Sequence, residues 1–350
     1  MELQPQNGTE LASMTKAELE ILVCSLGEPK FRAKQIYEWI HKNGASNFDD
    51  MSNVPKKLKE KLINQGYDFE VPHIVTYQQS ELDGTRKYLF GLYDHQVVES
   101  VLMRYKYGNS VCISSQVGCK MGCAFCASTL DGWLRNLSAG EMLEQIYQIQ
   151  KDTGERVSNV VVMGTGEPLD NYENLVRFVR LLSEEEGLHI SQRNITVSTC
   201  GLVPQIRKLA DEKLQITLAL SLHASSQEER EKLMPIAKTY EIHEVLDACQ
   251  YYFEQTGRRI SFEYSLVAGV NDSEADAERL KALIKDMNCH VNLIPVNPIK
   301  ERSFRQPERE NILRFQNKLE NHGINVTIRR EMGRDIDGAC GQLRKKYMER

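Results

Sequence analysis

From about residue 110 to the end of the chain, short apolar runs alternate with amphipathic segments of helical period. Such runs have the length and β-branched composition of buried strands. Strands that alternate with helices predict a parallel sheet, as an α/β barrel or a doubly wound sheet. About six such units favour a partial (β/α)6-type barrel over the closed barrel of eight. The apolar runs are 111–113, 160–163, 195–197, 216–220, 260–264 and 291–294.

Two segments of different character precede these units. Residues 1–70 have helical period, and the pair Thr15 and Glu18 has the spacing of a helix-capping box. Residues 71–107 alternate like strands around turns at Asp83-Gly84 and Asp94-His95. We therefore expect a small N-terminal helical domain over 1–70, a β-hairpin adaptor over 71–107 and the barrel over 108–350.

The composition is that of a globular protein, with 41% apolar and 27% charged residues among 350. We find no secretory signal and no membrane-spanning stretch, so we expect a cytoplasmic protein that does not contact a membrane. Nine cysteines at irregular spacing argue against a disulfide framework and for thiolates used in metal binding or chemistry.

Charge is spread unevenly along the chain. The net charge of −5 argues against a protein that coats nucleic acid. Residues 29–62 nevertheless carry 8 Lys and Arg against 4 Asp and Glu, and residues 323–350 carry 7 against 4. These basic segments are candidates for holding a polyanion, and ordinary solvated surfaces explain the charge equally well.

Three cysteines with CxxxCxxC spacing follow the first strand of the expected barrel: Cys119, Cys123 and Cys126. Thiolates this close can surround one small metal centre, and they favour zinc or an iron–sulfur cluster. A structural zinc site needs four protein ligands, and no second CxxC pair is present. Three thiolates fit a four-iron cluster that leaves one iron open to an external ligand.

This spacing resembles the signature of the radical S-adenosylmethionine (SAM) superfamily. The Gly164–Pro168 turn, which follows the second barrel strand, resembles the superfamily's GGEP-type motif, with Thr165 where Met is frequent. The resemblance implies one [4Fe-4S] cluster per chain on the three cysteines. It also implies SAM bound at the open iron and an external one-electron donor.

Further segments are similar to the RlmN family of dual-specificity RNA adenine-C2 methyltransferases. The similarity covers nearly the whole chain, and it departs locally at Ala237, where Asn is frequent. The segments that carry it surround Glu99, Cys112 and Cys340 and include 114–119, 221–224 and 292–298.

The resemblance to RlmN implies a reaction that consumes two SAM molecules per turnover. Cys340 takes a methyl group from the first and becomes S-methylcysteine. A 5′-deoxyadenosyl radical from the second removes a hydrogen from that methyl, and the methylene radical adds to C2 of adenine. Glu99 is implied as the base that takes the C2 proton. Cys112 is implied as the thiol that releases the product through a transient disulfide with Cys340.

The same resemblance assigns SAM contacts to residues at or just after predicted strand ends, where a barrel places its site. Leu222 is expected to contribute through its backbone alone. These residues are Gly166, Glu167, Ser198, Ser221, Leu222, His223 and Asn297.

Taken singly, several of these residues have plainer explanations. Cys112 and Cys340 would each be inert buried thiols. Glu99 would pair with Arg86 or Lys87 across the hairpin, and His223 would be a structural histidine. Only the joint arrangement favours the catalytic interpretation.

By resemblance, the RNA substrates are an adenosine in 23S rRNA and the adenosine 3′ of the anticodon in tRNA. We expect a monomer, with the module at 15–62 and the basic C-terminal end in contact with RNA. The nearest competing family is Cfr, which methylates C8 of the same rRNA adenosine; spacing does not separate C2 from C8. More distant candidates are a radical SAM activase and a zinc-stabilised RNA-binding protein.

Overall fold

The computed structural model describes residues 9–297, 304–336, 343, 344 and 347. Cys340 lies outside the described residues. The strands are β1 Thr9–Glu10, β2 Tyr67–Asp68, β3 His73–Gln79, β4 Arg86–Gly91, β5 Val97–Tyr105, β6 Gly108–Ile113, β7 Gln116–Gly118, β8 Trp133–Asn136, β9 Val157–Val162, β10 Ile195–Thr199, β11 Thr217–Ser221, β12 Ile260–Leu266, β13 Cys289–Pro295 and β14 Asn325–Ile328. The helices are α1 Lys16–Ser25, α2 Phe31–His41, α3 Lys56–Asn64, α4 Ala139–Thr153, α5 Tyr172–Ser183, α6 Val203–Asp211, α7 Gln227–Leu233, α8 Ile242–Thr256, α9 Glu274–Ile284 and α10 Arg309–Glu320.

One large sheet dominates the fold. In the described residues it has ten strands, in the order β14-β13-β12-β11-β10-β9-β6-β5-β4-β3. The run from β6 to β14 is parallel, and helices connect most of its strands. The α/β class is thus confirmed, and the arrangement is that of a partial barrel. The strand β14 and the short β7–β8 hairpin, by contrast, were not among the predicted strands.

The three antiparallel strands before β6 extend the same sheet. The two turns predicted from Asp83-Gly84 and Asp94-His95 separate β3 from β4 and β4 from β5. In the register, Val101 of β5 lies opposite Lys87 of β4 on one side and Cys112 of β6 on the other. Because directly opposed residues share a face, these three side chains form a row across the sheet.

The connecting helices bury one face each against the sheet. In α5, Leu175, Phe178 and Leu182 are fully buried at helical spacing. Burying a side chain of this size contributes about 1.5–3 kcal/mol. Helix α4 begins with a capping box between Ser138 and Glu141 and ends at Gly154, which has a left-handed φ of 67°. Such caps satisfy backbone groups that the helix itself leaves unpaired.

The N-terminal helices pack on the amino-terminal half of α4. The Oγ of Ser13 accepts a 2.8 Å hydrogen bond from the Gly140 N–H, and Glu10 is hydrogen-bonded to the Ser138 hydroxyl. His41 of α2 and the hydroxyl of Tyr147 are 2.8 Å apart in a buried contact. The predicted capping box of Thr15 and Glu18 starts α1. Among the described residues, no helix has the length and apolar character needed to cross a membrane.

Candidate active site

A cavity of about 510 Å³ opens at the carboxyl ends of the parallel strands. Parallel α/β folds place their ligands at this end of the sheet, because the loops that follow the strands converge there. The cavity brings together most of the residues that the sequence singled out. Its wall includes Cys112, Cys119, Cys123, Cys126, Gly166, Glu167, Ser198, Ser221, His223 and Asn297.

The loop that carries the three cysteines is held by backbone hydrogen bonds at both ends. The Cys119 N–H donates to the Gly132 carbonyl at 2.8 Å, and the Ala124 N–H donates to the Leu233 carbonyl at 2.8 Å. Gly118, just before the loop, has a left-handed φ of 75°, and a Cβ there would collide with the Gly132 carbonyl. The chain can therefore make this close turn only with glycine.

Burial changes the acidity of these thiols. It raises the pKa of Cys119 to about 12, and it raises the pKa of Cys123 as well. A buried thiolate is poorly solvated, so the thiol form is favoured until a positive centre arrives. Coordination to a metal deprotonates a thiol outright. The protein therefore presents protonated thiols that a cluster would convert to ligands.

The donor set fits an iron–sulfur cluster better than a single ion. In the described part of the chain, no three His, Cys, Asp or Glu side chains converge closely enough to hold one metal ion. A zinc ion would need ligands at about 2.0–2.3 Å in a tetrahedron. A four-iron cluster instead takes its thiolates on separate irons, and all three cysteines line the cavity wall.

The turn after β9 approaches the strand beside it closely. A Cβ on Gly164 would lie 2.6 Å from the Ile113 carbonyl oxygen. Gly166 has a φ of 113°, and a Cβ there would lie 2.7 Å from the Gln116 Cβ. Both positions require glycine, which allows the turn to pack closely against the end of β6 and the start of β7.

Glu167 follows this turn and is buried. Its carboxylate accepts hydrogen bonds from the backbone N–H groups of Cys200, at 2.7 Å, and Leu169, at 3.0 Å. Burial raises the pKa of Glu167, while these bonds act in the opposite direction. The carboxylate is thus held in one orientation beside the cavity.

Polar side chains from neighbouring strands continue the same wall. Ser198 of β10 and Ser221 of β11 have hydroxyls 3.4 Å apart, and Asn297 lies just after β13. Hydroxyl and amide groups can both donate and accept hydrogen bonds. This edge of the cavity can therefore bind a polar ligand such as a ribose or an amino-acid group.

His223 has a fixed protonation state and orientation. Its Nδ1 accepts a 2.9 Å hydrogen bond from the Ser265 N–H, and Asn271 donates to its carbonyl at 2.7 Å. Burial lowers the pKa of His223 to about 3. The ring is therefore neutral near pH 7, and because Nδ1 accepts, Nε2 must carry the proton. The Phe125 ring packs edge-on against it, with centroids 4.7 Å apart.

Glu99 lies on the same sheet face as Cys112 but does not itself line the cavity. Its carboxylate forms a 3.0 Å ion pair with Lys87 and accepts a 2.6 Å hydrogen bond from the Arg344 N–H. Leu343 packs beside it against Leu89 and Val97. Residues 343 and 344 therefore cover Glu99 in this structure.

Leu222 is buried and is not part of the cavity wall; its N–H donates to the Glu263 carbonyl at 3.0 Å.

Two further features were missed by the sequence reasoning. Arg230 is fully buried, donates to the Cys200 carbonyl at 2.7 Å, and has no partner in the described residues for Nε or Nη1. Residues 329–336 also line the cavity, apart from Asp335. The excess of Lys and Arg over Asp and Glu in residues 323–350 was the feature of the sequence that pointed to this segment.

The chain matches two family models in different parts. Residues 9–66 match the ribosomal RNA large subunit methyltransferase N-terminal domain, and residues 113–281 match the radical SAM superfamily. The first range contains helices α1 to α3, and the second contains the three-cysteine loop.

Curated relatives extend the match to nearly the whole chain. A probable dual-specificity RNA methyltransferase RlmN from Lachnospira eligens is 62% identical over 341 residues, 97% of both chains. A protein of the same description from Clostridium perfringens is 54% identical over 339 residues, again 97% of both. The crystal structure of a radical SAM methyltransferase from Sphaerobacter thermophilus is similar with a TM-score of 0.91 and 44% identity, covering 95% of this chain and 98% of that one.

Proposed function

Because the chain belongs to the RlmN family of radical SAM RNA methyltransferases, we propose that it places a methyl group on C2 of adenosine in RNA. The proposed substrates are an adenosine of 23S rRNA and the adenosine 3′ of the anticodon in tRNA. The observation that carries the proposal is a shared cavity, in which the three-cysteine loop, the Gly166-Glu167 turn and Cys112 meet.

Cys119, Cys123 and Cys126 would hold a [4Fe-4S] cluster. SAM would be held by Gly166, Glu167, Ser198, Ser221, His223 and Asn297. Leu222 would contribute through its backbone alone. When bound, the cluster supplies one electron that cleaves SAM to methionine and a 5′-deoxyadenosyl radical. The neutral His223 offers an Nε2–H donor to a ligand, and it adds no positive charge beside the SAM sulfonium.

The chemical difficulty is the C2 atom of adenine, which is electron-poor and does not attack a sulfonium. Cys340 would therefore accept the first methyl group on sulfur. After loss of one hydrogen atom, that methyl would become a carbon radical able to add to C2. Loss of the C2 proton and of one electron, which would pass to an external one-electron carrier, would leave the product joined to Cys340 through a C–S bond. A second thiol would then be needed to break that bond.

Cys112 is the proposed thiol for that second step. Its side chain lines the cavity from β6, directly opposite Val101. Attack of its thiolate on the Cys340 sulfur would form an S–S bond and break the C–S bond; the electron pair would leave with the CH2 group on the base, which takes up a proton to become the methyl group. An external two-electron reductant would then restore both thiols. Each turnover would use two SAM molecules.

Glu99 is the proposed base for the C2 proton. Lys87 fixes one oxygen of its carboxylate, and the Arg344 N–H binds the other. Access of the adenine edge to Glu99 would require residues 343 and 344 to leave this contact. Glu99 lies on the same face of the sheet as the row formed by Lys87, Val101 and Cys112.

Further parts of the proposal concern the whole protein. We place the RNA-binding accessory domain at 1–70, the adaptor at 71–107 and the catalytic barrel at 108–350. The match of 9–66 to the methyltransferase N-terminal domain supports the first. The protein would act as a cytoplasmic monomer with an external electron donor.

The test is to identify the methylated nucleoside. Anaerobically purified protein is incubated with SAM, a one-electron reductant and unmodified RNA, either a 23S rRNA fragment or an anticodon stem-loop. The RNA is digested and compared with 2-methyladenosine and 8-methyladenosine standards by mass spectrometry. The proposal requires 2-methyladenosine, whereas 8-methyladenosine would establish a Cfr-like activity. Absence of both would overturn RNA adenine methylation.

A further inference from the structure

The β5–β6 turn presents two aromatic rings and a lysine to solvent. The rings of Tyr105 and Tyr107 are stacked, with centroids 5.0 Å apart and planes inclined by 7°. Tyr107 is 73% exposed, and Lys106 between the two tyrosines is exposed as well. Since Tyr107 stacks on Tyr105 with one face and is largely exposed, its outer face offers a flat apolar surface to a ligand.

Two arginines follow β14 and line the active-site cavity. Arg329 and Arg330 are exposed, and the Arg329 N–H extends the sheet ladder by donating to the Leu293 carbonyl at 2.8 Å. Neither guanidinium has an ion pair within the described ranges, whereas the nearby Arg334 is paired with Glu331 at 2.8 Å. Their positive charge is therefore available to a ligand.

The turn and the arginines are close enough to act together. Met103 lines the cavity together with Arg329 and Arg330, and the Tyr105 hydroxyl, on the same face of β5, donates to the Met103 sulfur at 3.6 Å. Glu263 lines the same cavity, but its carboxylate is already hydrogen-bonded by Asn292 at 2.8 Å and by Ser261 at 3.1 Å. Stacked rings beside unpaired cations form a surface that suits unstacked nucleotides.

We propose that the RNA segment next to the target adenosine binds to Tyr107, Lys106, Arg329 and Arg330. This inference rests on the proposed function. Cys112 and the three-cysteine loop line a cavity within the protein, so the target base must leave its stack to bring C2 to them. The flanking nucleotides then need partners for one exposed base and for their phosphates. The ring of Tyr107 stacks on that base, and the two arginines bind the phosphates.

The test measures RNA affinity as a function of salt. The probe is a fluorescein-labelled RNA stem-loop with one adenosine in its loop, titrated with anaerobically prepared holoenzyme and SAM at several KCl concentrations. R329Q/R330Q removes two phosphate contacts and is expected to reduce the slope of log Kd against log [KCl] by about 1.4–1.8. Y107A is expected to weaken binding about tenfold and to leave that slope unchanged.

Two control variants separate this role from a structural one. R329K/R330K keeps the charges and is expected to keep the slope. R314Q removes an exposed arginine on helix α10, on the outside of the barrel, and is expected to bind as wild type. Iron content and the unfolding midpoint of every variant should equal those of wild type, because the substituted side chains are exposed.

The outcomes distinguish this inference from the proposed function. If R329Q/R330Q and Y107A bind the stem-loop with wild-type affinity and slope while wild type methylates it at C2, the binding site is wrong and the function stands. If the variants lose binding as expected but wild type yields no 2-methyladenosine, the site stands and the C2 assignment fails. Wild-type protein that does not bind the stem-loop contradicts the binding site.

Discussion

The carboxylate of Glu99 lies 3.0 Å from the ammonium group of Lys87, and both side chains are almost completely buried, at 4% and 0% exposed. The two residues are diagonal neighbours on β4 and β5. A charge removed from water this far is tolerated only with an opposite charge beside it. Lys87 is therefore the residue that keeps a carboxylate on this face of the sheet.

Replacement of Lys87 by Met should destabilise the protein by about 3–5 kcal/mol, because it leaves the Glu99 carboxylate buried without its counter-charge. The K87M/E99M double variant should be more stable than K87M, since it removes both charges. Urea unfolding of the single and double variants measures the coupling. Equal stabilities of K87M and K87M/E99M would contradict the ion pair. K56M, which removes one side of an exposed pair with Glu60, is the control and should change nothing measurable.

Substitution of any one cluster cysteine should abolish the iron–sulfur centre. Purified C119A, C123A and C126A are expected to lack the visible absorption of the wild-type holoprotein and to contain little iron. The reason is that each variant keeps only two of the three thiolates that would bind the cluster. C24S is the control, since Cys24 is exposed on α1. Wild-type iron content in C123A would show that another residue serves as a ligand.

Gly166→Ala should weaken SAM binding at least tenfold, because φ is 113° and the new Cβ would lie 2.7–2.8 Å from Gln116 and Ser115. Relief of that contact has to move the turn that carries Glu167. Gly154→Ala is the matched control, since its φ is also positive but nothing lies within 4 Å of the new Cβ. Equilibrium dialysis with SAM compares the two, and equal affinities would contradict the proposed role of the turn.

Glu10 should make stability depend on pH. Burial, with Glu141 and Glu70 adding to it, raises the pKa of Glu10 to about 8, whereas the ordinary value is 4.5. Between these values the native state holds one proton more than the unfolded state. The contribution of this proton to the free energy of unfolding is therefore complete below pH 4.5 and is lost progressively as the pH rises through 8. From pH 6 to pH 8 the loss is about 2 kcal/mol.

The E10Q variant isolates this contribution, because glutamine does not titrate. The difference in unfolding free energy between E10Q and wild type should shift in favour of E10Q by about 2 kcal/mol from pH 6 to pH 8. For E185Q, in which an exposed glutamate is replaced, the same difference should stay constant. A constant difference for E10Q would show that the Glu10 carboxyl is not protonated in the native state.

Much of the fold was predictable from periodicity. Each of the six apolar runs falls on a strand of the parallel sheet, because a buried parallel strand needs a continuous apolar segment. Strand β14 escaped prediction because it has only four residues, of which Val326 alone is fully buried. Its position matters, since it carries Arg329 and Arg330 to the cavity.

Predictions at the site depended on which face a residue occupies. The sequence left Arg86 and Lys87 as equal partners for Glu99, and only the register decides: Arg86 points to the other face and binds Asp152 at 2.8 Å. Arg230 carries no sequence pattern that distinguishes it from a surface arginine. Its burial depends on Gly201, where a Cβ would lie 3.0 Å from the guanidinium.

The most direct test of the proposed mechanism follows the hydrogens of the transferred methyl group. The protein is supplied with SAM whose methyl carries three deuterium atoms, together with unmodified RNA and reductant in ordinary water, and the RNA product is analysed by mass spectrometry. If the methyl waits on Cys340 and loses one atom to a radical before it reaches C2, the 2-methyladenosine must contain two deuterium atoms. A product that contains all three would mean direct transfer from SAM, and the proposed roles of Cys340 and Cys112 would be wrong.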